Sequence, residues 1–544
     1  MKHPDPEEMD DGVLDHRGEA LPYLSKSAKN MKMDKLLSTP MPKFDGITPG
    51  SYFWTRVLYW ICNRISKVQF RTIEATGMES IPNDRGSLCC AWHTNGLLDA
   101  LQITLNHPKY FVFGGRHDLV TRPLLGWWTR KMAVQPVVRK AELLRGGCSE
   151  EEANFLNGRS LMTLASGISH GYGCVLFPEG TSHNNAYMLR FRTGPMRTVL
   201  AASALAKASD KPMPVIIPIG LHFRTREFFR TDIWVEFGQP LQVQDDDVPD
   251  SLVEAIASGT WSEPPADSVF SLRDKLRTEL VPLTPNTYSW DEYRGLHLLG
   301  HIKGRMESKP PTSWREEVLL ARQFRDQYAD EFKTQEGDDL QPERIVNPVV
   351  KNSEKAAEIL HRNGLDGRDI NRNLTGFATP NIAKIPVSAA RSMLFLTLLP
   401  IFIISLLPQM ILGRVLGDST DEGIDARTSY QFLAAMFGSI IIWPISSVIL
   451  VALMYWQSGS IAEISGFDWT ESIGTSTTEI LLACGLMWLL MFPISLFTGR
   501  LFSLVWDDYV DLRGYYRKQK VSNSDKQELF ELIAELQQDL SGSD

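Results

Sequence analysis

The chain has 544 residues, of which 43% are hydrophobic, and a formal net charge of -9 at pH 7. This length is ample for several domains, and the mild acidity argues against a nucleic-acid-binding protein. The six cysteines are scattered without a C-x-x-C spacing, so the sequence supports neither a zinc site nor a disulfide framework. The first residues are charged and contain prolines but no apolar core, which predicts that no signal peptide is cleaved.

Two segments of different character precede the first predicted strand. Residues 1–48 are polar, charged and proline-containing, which predicts a disordered N-terminal segment. Residues 49–70 alternate at helical spacing between an apolar face with Phe53 and Trp54 and a polar face with Arg56 and Lys67. Such an amphipathic helix is typical of a membrane interface. A surface helix packed on the core of its own domain explains the same pattern equally well.

Residues 71–264 alternate between strand and helix patterns. Helices are predicted at 150–169 and 193–207, and strands at 72–75, 87–92, 110–113, 134–139, 174–177, 213–219 and 233–238. This alternation predicts one α/β domain with a mostly parallel sheet flanked by helices.

A histidine and an aspartate follow the predicted strand at 87–92. His93 comes directly after the strand, and Asp99 lies at the start of the next helical pattern. Polar side chains at the carboxyl edge of such a sheet are placed to contact ligands. A nearby carboxylate can hold the imidazole in one tautomer and stabilise its charged form, as a general base requires. A lone His–Asp pair is more often structural, but Glu179 follows a second strand, and two polar clusters at strand ends can converge on one cleft.

A serine hydrolase is excluded by the order of the elements. Gly167-Ile168-Ser169-His170-Gly171 matches the G-x-S-x-G pattern of a nucleophile elbow. That motif needs a strand before the serine and a helix after it. Here a helix precedes Ser169 and a strand follows it.

The C-terminal half divides into three regions. Residues 265–385 have helical patterns without strands and are predicted to be a helical extension. Residues 386–505 form a predicted membrane domain, because three uncharged apolar runs, at 392–413, 428–462 and 480–499, are each long enough to cross a hydrocarbon core of about 30 Å. Residues 506–544 are predicted to be a cytosolic tail, basic at first and then helical.

The charges around the apolar runs predict their orientation. Residues 457–478 contain no Lys or Arg, whereas five basic residues lie between 500 and 520. The positive-inside rule therefore places the tail in the cytoplasm and the 457–478 loop outside. If all three runs crossed, the α/β domain would also lie outside. Pro400 and Pro408 can each break a helix, so we predict that 392–413 is a re-entrant or interfacial hairpin.

At residues 71–243 the sequence resembles the glycerolipid (phosphate) acyltransferase family of the PlsC type. The resemblance rests on four ordered blocks, which are His93 with Asp99, the strand ending on Arg139, Phe177-Pro178-Glu179-Gly180 followed by Thr181, and Val215-Ile216-Ile217-Pro218. Five residues separate the histidine from the aspartate, where the family usually has four. Neither spacing stacks the two side chains on one helix face, so the histidine is expected in the loop and the aspartate on the helix. This spacing, the helical extension and the C-terminal apolar runs are similar to fungal-type glycerol-3-phosphate and dihydroxyacetone-phosphate acyltransferases.

The resemblance implies a membrane-bound enzyme that uses acyl-CoA as a co-substrate, with no cofactor and no metal. His93 would be the base oriented by Asp99, and Arg139 would bind the acceptor phosphate. Glu179 and Gly180 would shape the acceptor pocket, with Thr181, Arg116 and Arg192 as weaker substrate-binding candidates. The implied partners are acyl-CoA, a phosphorylated glycerol acceptor and the bilayer.

The resemblance also implies a location and leaves other functions open. The catalytic domain would be cytosolic, at the endoplasmic reticulum of a eukaryote or the inner membrane of a bacterium. Acylation of lysophosphatidate is the alternative reaction, and an inert membrane lipid-binding protein is the non-enzymatic alternative. A transporter is disfavoured, because the apolar runs contain no internal charge of the kind a transport pathway uses.

Overall fold

The computed structural model describes residues 31–138, 148–226, 228–328, 347–419, 424–456 and 476–542. Arg139 and most of the 457–478 loop therefore lie outside the described residues. Residues 31–48 do not follow the predicted disorder, because helix α1 (Met33–Leu37) buries Leu36 completely. Arg159 also donates hydrogen bonds to the carbonyls of Leu37 and Thr39, at 2.7 and 2.8 Å, and this ties the segment to the domain.

The predicted α/β domain is present. Its strands are β1 (Phe70–Thr76), β2 (Ser87–Ala91), β3 (Gly114–Arg116), β4 (Gln135–Val137), β5 (Gly173–Val175), β6 (Val215–Phe223), β7 (Thr231–Phe237) and β8 (Leu241–Gln242). Its helices are α2 (Tyr52–Gln69), α3 (Leu97–Asn106), α4 (His117–Thr121), α5 (Leu125–Lys131), α6 (Glu150–Ser169), α7 (Gly194–Ala208), α8 (Asp250–Ala257) and α9 (Ala266–Leu280).

The main sheet is mixed, with mostly parallel pairs. Its strand order is β1-β7-β6-β2-β5, with β8 paired to β6, while β3 and β4 form a separate parallel pair. The β1/β7, β2/β5 and β2/β6 pairs are parallel, and β6 pairs antiparallel with β7 and β8. The strand-and-helix pattern therefore gave the correct fold class.

Strand β2 lies between β6 and β5 and is buried on both faces. Leu88 and Cys90 pack into the core on one side of the sheet, and Cys89 and Ala91 pack into the core on the other. This division follows from the two-residue period of a strand, in which successive side chains point to opposite faces. The chain leaves the sheet directly after Ala91, which places His93 at its carboxyl edge.

Helix α2 packs on the domain along one face. Leu58, Cys62 and Ser66 are buried there, whereas Phe53 and Trp60 on the outer face are 64% and 43% exposed. The inner face fits a helix packed on the core of its own domain. The exposed aromatic residues leave the outer face available to a membrane interface.

The boundaries of the helical extension differ from those predicted from the sequence. Helix α9 packs its buried leucines into the α/β core, so the domain runs past residue 264. A separate core forms between α10 (Trp290–Met306), α11 (Trp314–Tyr328), α12 (Pro348–Arg362) and the last helix, Asn523–Ser541. The last helix is thus part of the extension and not a free tail, because Leu529, Ile533, Leu536 and Leu540 are buried in this core.

Three helices are long and apolar enough to cross a membrane, judged by length and composition. They cover Leu399–Ser419, Arg427–Trp456 and Thr477–Lys520. The first continues from α13 (Ile385–Thr397) through α14 (Leu399–Ile401) and a π-turn (Phe402–Leu406) into α15 (Leu407–Ser419). The other two belong to α16 (Ile424–Trp456) and α17 (Thr477–Lys520), and the last helix is α18 (Asn523–Ser541). A re-entrant course for 392–413 stays a prediction.

Candidate active site

His93 and Asp99 form a hydrogen-bonded pair at the carboxyl edge of the sheet. The Nδ1 atom of His93 lies 2.9 Å from Oδ2 of Asp99, and the main-chain N–H groups of Thr94 and Asn95 donate to the same oxygen at 2.8 and 2.7 Å. Asp99 is fully buried, whereas the His93 side chain is 17% exposed. A carboxylate on Nδ1 fixes the tautomer in which Nε2 is free to accept a proton.

The turn between the two residues depends on a glycine. Gly96 has φ 50° and ψ -127°, a conformation that L-residues with a side chain rarely adopt. It allows the loop to turn back before α3 starts at Leu97, so that Asp99 in the first helical turn reaches His93. The histidine is therefore in the loop and the aspartate on the helix, as expected from their spacing.

Phe177 and Glu179 hold His93 from the neighbouring strand end. The Phe177 ring stacks on the imidazole with centroids 3.8 Å apart and an interplanar angle of 9°. The Oε2 atom of Glu179 accepts the main-chain N–H of His93 at 3.0 Å, and Oε1 accepts the N–H of Leu189 and lies 2.7 Å from Nε2 of His183. Glu179 is buried and fastens two loops together, so its predicted contact with the acceptor stays a prediction.

Gly180 and Arg192 meet at the end of the same turn. Gly180 has φ +74°, and a side chain there would come within 3.3 Å of Cγ of Arg192. The N–H of Arg192 donates to the Pro178 carbonyl at 2.6 Å. Thr181 follows directly in the chain, and its hydroxyl contacts the Ser182 carbonyl at 3.3 Å. The structure thus brings these three predicted residues to the turn that supports His93.

Comparison with known proteins identifies this region. Residues 72–222 match the family model described as Acyltransferase. This part of the chain is an acyltransferase-family domain. Over 153 residues the chain is 29% identical to glycerol-3-phosphate O-acyltransferase 2 of Saccharomyces cerevisiae, a match that covers 28% of this chain and 19% of the yeast protein. The chain therefore matches only about a fifth of the length of this curated relative.

A solved structure is also similar to part of the chain. It is the 1-acyl-sn-glycerophosphate (LPA) acyltransferase PlsC from Thermotoga maritima, at 16% identity and a TM-score of 0.28. The similarity covers 40% of this chain and 79% of that chain.

Arg116 forms an ion pair within the acyltransferase domain. Its Nε and Nη2 atoms donate to the two carboxylate oxygens of Asp118 at 2.5 and 2.8 Å, and Arg122 donates to the same carboxylate at 2.7 Å. Arg139 lies outside the described residues. Phosphate binding by either arginine therefore stays a prediction.

Arg226 is a site residue that the sequence interpretation missed. Its Nη1 atom donates to the Thr94 carbonyl at 3.0 Å, and Nη2 donates to the side chain of Asn184. The guanidinium lies 4.9 Å from the centroid of the Trp290 ring. Arg226 follows the end of β6, and this strand-end position was the signal that could have revealed it.

The apolar helix α16 also reaches the loop between β2 and α3 that contains His93. The Thr428 hydroxyl donates to Oδ1 of Asn95, and the Ser429 hydroxyl accepts the N–H of Leu97 at 3.0 Å. Further along the helix, Phe432 and Met436 are buried in the same core as the start of α3. The loop of the acyltransferase domain is thus supported from outside the domain, by a helix about 330 residues away in sequence.

The described residues near this loop include neither a metal centre nor a reactive thiol. Among the described residues, no group of three or more His, Cys, Asp and Glu side chains is placed to hold a metal ion. Burial raises the pKa of the Cys89, Cys90 and Cys174 thiols, which keeps them protonated at neutral pH. The polar group best placed to act on a substrate is Nε2 of His93.

Proposed function

We propose that the chain transfers a fatty acyl group from acyl-CoA to the hydroxyl of glycerol 3-phosphate or dihydroxyacetone phosphate in phospholipid synthesis. The observation that carries this proposal is the imidazole of His93, which Asp99 holds at Nδ1 and whose Nε2 has no hydrogen-bond partner among the described residues. The acyltransferase-family match and the name of the yeast relative support the type of reaction and the acceptor. The three apolar helices support a membrane-bound enzyme.

In the proposed reaction no acyl-enzyme forms. Nε2 of His93 removes the proton of the acceptor hydroxyl as its oxygen attacks the thioester carbonyl. The carbon–sulfur bond then breaks, and the coenzyme A thiolate leaves and takes the proton from the imidazolium. A general base of this kind supplies about 10²–10⁴-fold in rate, and main-chain N–H groups at the strand ends are suited to stabilise the oxyanion.

The acceptor would be held by the predicted substrate-binding residues. Arg139 is the first candidate for the phosphate, because a planar guanidinium matches the geometry of two phosphate oxygens. Gly180, Thr181 and Arg192 lie on the turn next to His93. Arg116 is a weaker candidate because its guanidinium already pairs with the carboxylate of Asp118. We expect this domain to face the cytosol, where acyl-CoA is available.

The test is acyl transfer from labelled palmitoyl-CoA in membranes that contain the full chain. Glycerol 3-phosphate, dihydroxyacetone phosphate and lysophosphatidate are offered separately, to wild type and to His93→Ala. His170→Ala is the matched control, because His170 is an exposed histidine of the same domain. We expect product from the first two acceptors, loss of activity in His93→Ala, and normal activity in His170→Ala.

The other outcomes separate the alternatives. Product from lysophosphatidate alone would keep the chemistry and replace the acceptor. Equal activity of His93→Ala and wild type would contradict the general base. The absence of product from every acceptor would favour the inert lipid-binding protein.

A further inference from the structure

A basic groove lies on the outer face of helix α2, away from the catalytic loop. It has a volume of about 460 Å³ and is lined by Arg56, Tyr59, Trp60, Asn63, Arg64, Lys67 and Tyr110. Three of these residues carry a positive charge, and none is acidic. This is unusual in a chain with a net charge of -9 and points to an anionic ligand.

The three cations of the groove are not neutralised by carboxylates. Among the described residues, Arg56 bonds to the hydroxyl of Tyr52 at 2.9 Å, Arg64 lies over the Trp60 ring, and none of the three has an acidic partner. Basic residues just beyond the helix behave differently, since Arg71 pairs with Asp511 and Arg230 with Asp507. The groove is therefore a place where the fold leaves positive charge unpaired.

A buried hydroxyl in the groove also lacks a partner. The oxygen of Tyr59 is inaccessible to solvent and makes no hydrogen bond to any described residue. Burial raises the pKa of Tyr59, so the hydroxyl stays protonated and can donate. A buried polar group without a partner is unfavourable, and a ligand oxygen in the groove would supply the missing acceptor.

The groove adjoins the apolar helix α17. The Trp60 ring stacks on Phe492 of that helix, with centroids 6.5 Å apart. Arg500 of the same helix donates to the main-chain carbonyl of Lys67 at 2.6 Å and adds a fourth cation. Phe497, between these two contacts, is 55% exposed. One side of the groove is thus positive and the other is apolar surface suited to lipid chains.

We propose that this groove binds the phosphate headgroup of an anionic phospholipid, whose acyl chains lie against α17. Basic residues next to membrane helices bind anionic headgroups with about 1 kcal/mol per Lys or Arg, and tryptophan and tyrosine favour the headgroup level of a bilayer. The acyl chains distinguish this ligand from a free phosphate, which would use only the charged side. The site is separate from His93 and does not depend on the proposed acyl transfer.

The test uses the full chain reconstituted in phosphatidylcholine vesicles. Brominated phosphatidylglycerol is added in increasing proportion, and quenching of Trp60 is taken as the fluorescence difference between wild type and Trp60→Phe. Brominated phosphatidylcholine is the neutral comparison. The test variant combines Arg56→Gln, Arg64→Gln and Lys67→Gln.

The control variant removes the same charge elsewhere. It combines Lys275→Gln, Lys351→Gln and Lys355→Gln, which are exposed on helices α9 and α12. Thermal unfolding of all variants checks that each one is folded. We expect saturable quenching by phosphatidylglycerol only, weakened on the order of 100-fold in the test variant and unchanged in the control.

Three results would overturn the proposal. The first is equal quenching of wild type by the two lipids, and the second is an unchanged curve in the folded test variant. The third is full displacement of phosphatidylglycerol by inorganic phosphate at equal concentration, which would identify a soluble anion site in place of a lipid site.

Discussion

Removing the hydroxyl of Thr428 should slow the reaction although this residue lies on an apolar helix. Thr428→Val keeps the shape of the side chain and removes the donor to Oδ1 of Asn95. Both side chains are 1% exposed, and Nδ2 of Asn95 already lacks a partner among the described residues. Water therefore cannot replace the lost hydrogen bond without a change in the structure.

The expected cost follows from this burial. An orphaned buried acceptor costs about 1–3 kcal/mol. The main-chain N–H of Asn95 donates to the carboxylate of Asp99 that holds His93, so relaxation of Asn95 disturbs the His93–Asp99 pair. If the whole cost is expressed in the transition state, kcat falls by about 5- to 150-fold. The KM for the acceptor should change little, because the Thr428 side chain is buried and its hydroxyl bonds to Asn95.

The assay is steady-state acyl transfer with Thr428→Val, Thr428→Ser and Ser447→Ala beside wild type. Thr428→Ser keeps the donor and should retain nearly full activity. Ser447 is equally buried on the same helix, but its hydroxyl bonds to the Trp443 carbonyl of its own helix. Its removal should lower thermal stability without a selective loss of kcat. An unchanged kcat in Thr428→Val, or equal decreases of kcat in Thr428→Val and Ser447→Ala, would refute the reasoning.

Three further perturbations test the site and the extension. Glu179→Gln should lower both the activity and the thermal unfolding temperature, because only one of the two terminal atoms of an amide can accept the N–H groups of His93 and Leu189. Wild-type activity and unfolding temperature in this variant would contradict the role of Glu179 in joining the two loops. Gly96→Ala should cost about 1–3 kcal/mol of stability in the loop, measured by denaturant unfolding, and an unchanged midpoint would show that the turn tolerates a side chain. Burial raises the pKa of Glu317, but hydrogen bonds from His301 and Arg224 outweigh it and lower the pKa to about 2. Because this folded-state pKa lies below the ordinary 4.5, the stability it provides is present above pH 4.5 and is lost as the pH falls towards 2. In Glu317→Gln the free energy of unfolding should therefore depend less steeply on pH between 4.5 and 2. An equally steep fall of that free energy in the variant and in wild type would contradict this.

The sequence was informative where structure is local. The strand-end positions of His93 and Glu179 predicted that both lie near one cleft, and the five-residue gap placed Asp99 on the helix. The tail was predicted to end in a helix, and the structure contains it at Asn523–Ser541. Each of these inferences uses the period of a single element or the end of a single strand.

The sequence was uninformative where contacts join distant segments. Thr428 and Asn95 are 333 residues apart, and Arg226 and Thr94 are 132 apart. A hydroxyl near the start of an apolar helix gives no sign of the loop that it will meet. Likewise, the helix predicted in the tail gave no sign that α18 would pack into the core of the extension. Such pairings depend on the packing of whole elements and not on any local pattern.

The place of α18 in the extension has a consequence for how the chain is made. Its buried leucines complete a core that also includes α10 and α12, which begin about 230 and 180 residues earlier. During synthesis that core must stay open until α18 leaves the ribosome, after α16 and α17 have already been translated. The membrane helices can thus engage lipid before the extension closes, whereas domains generally fold as units in order of synthesis. A chain that stopped before Asn523 would leave an apolar surface exposed, which quality-control proteases could recognise.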